Sequence, residues 1–171
     1  SARTQAYPFM EEMSRYAQAP VAMATRDRLN MIYLEVVHTD TTLTMRRSLG
    51  STLPIHSSAM GRACLAAMDV KEREYLFDAI KKRNEDQWTT IKRNLERAIR
   101  DYQDYGYCLS LGAWAKDVSS VAVPLIHPKH GILTFNCGAP SYLLNQEKLE
   151  NEIGPRLIHM VNSIAMNLNN M

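Results

Sequence analysis

The segment LPIHSSAMGRACLAAMD, residues 53–69, contains residue types that nucleophilic catalysis uses. His56 is followed directly by Ser57 and Ser58, and small and apolar residues then recur at helical spacing. A serine nucleophile is expected in an elbow such as GxSxG, or with a lysine three residues further on, and neither serine fits either pattern. A serine in front of an apolar helix is also a common N-cap. This second interpretation predicts a helix over residues 58–68.

The start of that helix would leave several backbone N–H groups without intrahelical acceptors, at the positive end of the helix dipole. No Glu or Gln stands three residues after either serine, so no capping box closes this end. Ala59, Met60 and Gly61 have no long polar side chain that would block access. Such an end can bind an anion, or Ser57 and water can satisfy the donors without a ligand. The residues alone leave both interpretations open.

Composition places the chain among globular proteins. Its 171 residues, 46% hydrophobic and 22% charged, are enough for one domain with its own core. The net charge of +2 gives no strong attraction to nucleic acid or membrane, and no apolar run reaches the roughly 20 residues that span a bilayer. Cys64, Cys108 and Cys137 are widely spaced, which argues against a disulfide framework and favours a reducing, cytoplasmic location.

Periodicity predicts the elements that position the segment. Helical spacing predicts helices over residues 8–18, 58–68, 71–83, 87–102 and 149–168. Pro155 should kink or split the last of them. β-rich runs predict strands in VAMAT, MIYLEVV, YCLSL, SVAVPLI and GILTFNC, with a weaker candidate in LTMRRSL. The turns RDRLN and HPKHG predict hairpins, and therefore an α+β fold with helices packed on an antiparallel sheet.

Two stretches resemble the effector-binding domain of IclR-type transcriptional regulators. LPIHSSAMGRACLAAM is similar to the segment that opens the central helix of that domain. GYCLSLGAWAKDVSSVAVPL resembles its strand, loop and strand before the final hairpin, and YLEVV and LTFNCGAP match in kind and order. The resemblance covers essentially the whole chain. It implies a GAF-like fold, with an antiparallel sheet of about six strands and helices on both sides.

The resemblance also implies a function. Domains of this family bind a small organic acid or aromatic metabolite and help to assemble dimers or tetramers. Residues 1–19 would be the end of a linker helix and residues 20–171 the effector-binding domain. A winged helix-turn-helix outside this chain would bind DNA. The resemblance implies neither a catalytic activity, a cofactor nor a membrane partner.

Candidate ligand-binding residues follow from the family pattern. There, the acid group of the effector meets backbone N–H groups at the start of the central helix, and the matching residues are Ala59 and Met60, followed by Gly61. Other contacts come from the strands, and the matching residues are Ser110, Ser120 and Cys137, with Asn136 nearby. Met45, Leu53 and Met60 would supply apolar walls, although core packing is the commoner role of such residues. Some family members have an acidic residue at the place of Ser110 and a cysteine at that of Ser120, so the identity of the effector does not transfer.

Two further features leave alternatives open. Trp114, in the loop LGAWAKDV, could be a lid over the pocket or an oligomer contact. A small α+β enzyme using Ser, Cys or His is the alternative function, although the chain has neither a paired acid–base set nor a glycine-rich phosphate loop. His127 and His130 flank a turn without a third ligand nearby, so no metal site is predicted.

Overall fold

A computed structural model of the chain describes residues 1–38 and 49–169. Within them, a six-stranded antiparallel sheet lies between two helical layers, which confirms the predicted α+β class. The strands are β1 (Val21–Asp27), β2 (Asn30–Val37), β3 (Thr52–Pro54), β4 (Cys108–Leu111), β5 (Val118–His127) and β6 (Gly131–Pro140). The helices are α1 (Ala2–Ala17), α2 (Ala59–Ala67), α3 (Val70–Arg83), α4 (Trp88–Tyr105), α5 (Gln146–Lys148) and α6 (Gly154–Asn169). None of these helices is long and apolar enough to cross a membrane.

The sheet has the strand order β3-β2-β1-β6-β5-β4. The two predicted hairpins are confirmed, because β1 pairs with β2 across RDRLN and β5 pairs with β6 across HPKHG. β1 also pairs with β6, and this pairing joins the two halves of the chain in the middle of the sheet. β3 and β4 are the edge strands.

Each face of the sheet buries its own apolar core, because successive side chains of a strand point to opposite faces. The first core lies under α1 and α6 and includes Met10, Val121, Phe135, Cys137 and Ile164. The second core lies under α2 and α4 and includes Ala22, Met31, Met60, Leu95 and Ala122. The predicted segment 53–69 therefore packs against the second face.

The first helix begins at Ala2, so the prediction that it starts at Pro8 is wrong. The hydroxyl oxygen of Ser1 accepts a hydrogen bond from the N–H of Thr4 at 3.3 Å, which caps the earlier start. Pro8 then lies inside the helix, where it cannot donate a backbone hydrogen bond. The helix continues because residues such as Met10, fully buried, pack into the first core.

Two other elements differ from the simple periodic pattern. A π-helical segment, Leu149–Ile153, interrupts the α-helical pattern directly before α6, two residues ahead of Pro155, where the sequence predicts a kink or a split. The short strand β3 was not predicted, since three residues are too few to show alternation. The strand candidate LTMRRSL lies outside the described residues except for Leu49, which is in a turn.

Candidate ligand-binding site

The start of α2 has the predicted serine cap. Ser58 Oγ accepts a hydrogen bond from Gly61 N at 3.0 Å and donates one to the carbonyl oxygen of Pro54 at 2.6 Å. A side-chain Cβ at Gly61 would collide with the carbonyl oxygen of Ile55, so the helix can approach this loop only with glycine there. The proton of Ser58 is held by a carbonyl, which is the geometry of a cap and not of a nucleophile.

Two backbone donors remain at this helix start. The N–H of Gly61 is taken by the cap, whereas no described residue supplies an acceptor for the N–H of Ala59 or Met60. Both residues are almost completely buried. Buried N–H groups without a partner are rare in native proteins, so this pair is suited to hold an acceptor from outside the chain. Gly61 contributes close packing to this site, and its N–H is not free to bind.

Strand β4 holds the loop in front of α2. Ser110, buried, donates a hydrogen bond from its Oγ to the carbonyl oxygen of Ser57 at 2.6 Å. In the sheet Ser110 pairs with Ser120 of β5, and both side chains lie on the face that carries the second core. The hydroxyl proton of Ser110 is thus used within the chain, and only its lone pairs can face a ligand.

A small cavity lies against the same face of the sheet. It has a volume of about 40 Å³, and its lining residues are all uncharged: Pro20, Ala22, Tyr33, Val36, Trp114, Val118, Ser120, Asn136 and Gly138. Asn136 Nδ2 donates a hydrogen bond to Ser120 Oγ at 3.3 Å. The hydroxyl proton of Ser120 and the amide oxygen of Asn136 do not take part in that hydrogen bond. Both can therefore form a hydrogen bond with a polar ligand.

The structure brings most of the predicted site residues to one face of the sheet. Ser110, Ser120 and Asn136 line it, and Leu53 and Met60 are buried in the second core beside it. Cys137 is not with them. It is fully buried in the first core, because it follows Asn136 in β6 and adjacent strand residues point to opposite faces. Met45 lies outside the described residues.

The sequence pattern missed Arg62, which organises the helix start. Its Nε donates to the carbonyl oxygen of His56 at 3.1 Å, and one terminal nitrogen donates to that of Leu109 at 3.0 Å. Burial lowers the pKa of His56, and the charge of Arg62 lowers it further. The signal was present, since Arg62 is the single charged residue in the helix AMGRACLAA.

The cysteines have the character of core residues. Burial raises the pKa of Cys64 to about 12, and it raises the pKa of Cys137 to about 12 as well. Cys108 is fully buried, and burial raises the pKa of its thiol further still. A reactive thiol needs a lowered pKa and exposure, so these three groups are protonated and inert at neutral pH.

Residues 2–166 match the family described as "Bacterial transcriptional regulator IclR C-terminal". The chain belongs to this family. The chain is 32% identical over 162 residues to the HTH-type transcriptional regulator TsaQ1/TsaQ2 of Comamonas testosteroni. The match covers 93% of the chain and 58% of that protein. The chain is 26% identical over 156 residues to the Pca regulon regulatory protein of Pseudomonas putida, covering 90% of the chain and 54% of that protein. The domain thus spans a little over half the length of these relatives.

Solved structures agree with the fold. The chain superposes on an IclR family transcriptional regulator from Brucella abortus with a TM-score of 0.95 and 54% identity. The match covers 98% of the chain and 63% of that protein. The chain also superposes on the inducer-binding domain of the PobR transcription factor from Acinetobacter, a double mutant in complex with 3-hydroxybenzoic acid. That match has a TM-score of 0.74 and 16% identity, over 92% of the chain and 94% of the other, and shows the shared fold.

Proposed function

We propose that this IclR C-terminal domain binds a small organic or aromatic acid as its effector. The observation that carries the proposal is the pair of buried N–H groups at Ala59 and Met60, for which no described residue supplies an acceptor. A carboxylate is a strong acceptor, and the N-terminus of a helix favours negative charge. The effector's acid group would therefore lie at the start of α2.

The rest of the effector would lie along the sheet. Ser110 connects the loop before α2 to the strand pair that presents Ser120 and Asn136 to the small cavity. Tyr33 and Trp114 border this cavity, and Trp114 would act as a lid over the effector. Ligand pockets usually measure about 300–1,000 Å³, so effector binding requires this cavity of about 40 Å³ to widen. The inducer bound by the PobR domain, 3-hydroxybenzoic acid, is an acid of the proposed class.

Effector binding would control DNA binding by an N-terminal domain outside this chain. One relative is called an HTH-type transcriptional regulator and the other a regulon regulatory protein, and the domain covers only part of each. We also propose that the domain contributes to a homodimer or tetramer and works in the cytoplasm, where transcription takes place. Residues 1–19 would link the two domains, although α1 also packs into the first core. No contact of the described residues favours the alternative of an enzyme.

A thermal-shift screen of small carboxylic acids, with 3-hydroxybenzoate included, tests the proposal. An acid at 100 times its dissociation constant should stabilise the fold by roughly 2.7 kcal/mol. Calorimetry would then compare Ser120→Ala with Ser119→Ala. The two serines are adjacent, but Ser120 borders the cavity whereas Ser119 bonds to Ser141.

We expect Ser120→Ala to weaken the binding of the acid by roughly two- to tenfold, since a hydrogen bond between neutral groups contributes about 0.5–1.5 kcal/mol. Ser119→Ala should bind as the wild type does. A screen without any stabilising acid, or equal affinities for Ser120→Ala and the wild type, would contradict the proposed site.

A further inference from the structure

A second cavity lies at the outer edge of β4, where the sheet ends within the described residues. Its volume is about 440 Å³, which is within the usual range of small-molecule pockets, about 300–1,000 Å³. Side chains of α4 border it from one helical layer, and Gln146 and Glu150 border it from the other. Among the described residues, none lines both this cavity and the small cavity on the face of the sheet.

Arg62 brings a buried positive charge to this cleft. Only 8% of the residue is exposed, and its guanidinium uses two N–H donors, one for His56 O and one for Leu109 O. Arginine has five N–H donors, so three remain. No carboxylate of the described chain lies within ion-pair distance of Arg62. Buried charges are normally paired, so this guanidinium lacks the counter-ion that such a site usually contains.

We propose that the cleft is a second small-molecule site, which binds a small carboxylic acid that also carries a hydrogen-bond donor. The carboxylate would accept the remaining N–H groups of Arg62, whose planar fork matches its two oxygens. Asn94 of α4 borders the cleft and adds an amide donor. This site goes beyond the effector site at the start of α2 and does not depend on it.

The acidic residues of the cleft explain why the ligand needs a donor as well. Asp101 and Glu150 border the same cavity beside Arg97, and each carboxylate repels a nearby negative charge but can accept a hydrogen bond from a donor on the ligand. Burial raises the pKa of Asp101, whereas the charge of Arg97 opposes this shift. An amine or hydroxyl at the other end of the ligand gives these carboxylates a partner. Amino acids and hydroxy acids have this combination of groups.

Occupancy of the cleft would also act on the first site. Arg62 holds the carbonyl oxygen of His56, which lies two residues before the capping Ser58. A carboxylate that binds the same guanidinium would change how strongly Arg62 holds the carbonyl oxygen of His56. The cleft is therefore placed to change the affinity of the first site for its effector.

Three-carbon acids in an NMR titration of this chain test the second site. L-Lactate carries a hydroxyl, L-serine carries an amine and a hydroxyl, and propionate carries neither. The signal to follow is the Nε–Hε correlation of Arg62. Asn94→Trp fills the cleft from α4 without changing Arg62, and Arg93→Trp is the matched control, because Arg93 is exposed on the same helix and does not border the cleft.

We expect lactate or serine to shift the Arg62 signal saturably, and propionate to bind more weakly than either. Asn94→Trp should weaken this binding by about tenfold or more, a loss of about 1.4 kcal/mol, and Arg93→Trp should leave it unchanged. Arg62→Lys, which keeps the charge but loses the planar fork, should also weaken this binding, as measured by calorimetry because the variant lacks the Arg62 signal. The absence of a saturable shift for all three acids, equal binding of propionate, or unchanged binding in Asn94→Trp would overturn the proposal.

Discussion

Ser110 Oγ lies 2.6 Å from the carbonyl oxygen of Ser57, and this hydrogen bond ties β4 to the loop that precedes α2. The preceding residue of the strand, Leu109, accepts a hydrogen bond from Arg62 of α2 at 3.0 Å. Two successive residues of one edge strand therefore fix both sides of the helix start. The geometry of the N–H groups of Ala59 and Met60 depends on this double attachment.

Ser110→Ala should destabilise the fold. The substitution leaves the carbonyl oxygen of the buried Ser57 without its partner, which costs about 1–3 kcal/mol. Urea unfolding of wild type and variant measures the difference. Ser163→Ala is the control, because the Ser163 hydroxyl donates to the carbonyl oxygen of His159 within an exposed turn of α6. The free energy of unfolding of this variant should differ from that of the wild type by less than about 0.5 kcal/mol. Equal stabilities of Ser110→Ala and wild type would show that the bond contributes nothing.

Gly61→Ala should destabilise the fold although alanine favours helix. Helix propensity alone predicts a gain of about 1 kcal/mol. The added Cβ would collide with the carbonyl oxygen of Ile55, so α2 must move away from the loop, and overpacking of this kind costs about 1–3 kcal/mol. A thermal melt provides the measurement, and the effector found in the screen should bind the variant more weakly. A melting temperature above that of the wild type would contradict the close approach.

The three cysteines should resist thiol reagents in the folded chain. Burial keeps each thiol protonated at neutral pH and also excludes the reagent. Colorimetric labelling at neutral pH should therefore be slow before denaturant is added and complete afterwards. Ser163→Cys, which places a thiol on the partly exposed face of α6, should react at once. Rapid labelling of Cys137 in the native state would contradict its placement in the first core.

The stability of the fold should fall in mild acid through His56. In the unfolded chain the histidine titrates near its ordinary pKa of about 6.5, whereas burial and the charge of Arg62 lower the pKa in the folded chain. Between these two values the unfolded state binds more protons, so the stability present above about pH 6.5 decreases as the pH falls toward the folded-state pKa.

Urea unfolding at about pH 7.5 and about pH 5.5 tests this dependence. On going from the higher to the lower pH, the free energy of unfolding of the wild type should fall by more than that of His56→Gln. His130→Gln, which removes a histidine from the exposed turn between β5 and β6, should behave like the wild type. Identical pH profiles for the wild type and His56→Gln would show that His56 is not responsible.

Much of the fold could be predicted from local chemistry. The hairpins were predictable because turn residues separate β-rich runs, and the cap at Ser58 because a serine precedes an apolar helix. The local pattern does not predict the start of α1 at Ala2, because proline is typical of the first turn of a helix, whereas the cap at Ser1 and packing in the first core place Pro8 inside the helix. Tertiary packing decided this boundary, and it is not visible in the local pattern.

The candidate site was less predictable. Asn136 and Cys137 were both assigned to it, yet neighbours in a strand cannot face the same ligand, and the alternation rule alone could have separated them. The role of Arg62 could not be read from its position, because its two acceptors are carbonyl groups of a loop and of a strand far along the chain. Contacts of this kind appear only when the fold is assembled.

The pairing of β1 with β6 also determines when the domain can fold. During synthesis the β1–β2 hairpin emerges early, but its neighbour in the sheet is among the last strands to leave the ribosome. A nascent chain that ends before β6 has an open strand edge and two half-built cores, and such species are prone to aggregate. Long-range pairing also slows folding. The domain therefore completes its sheet only after β6 has been synthesised.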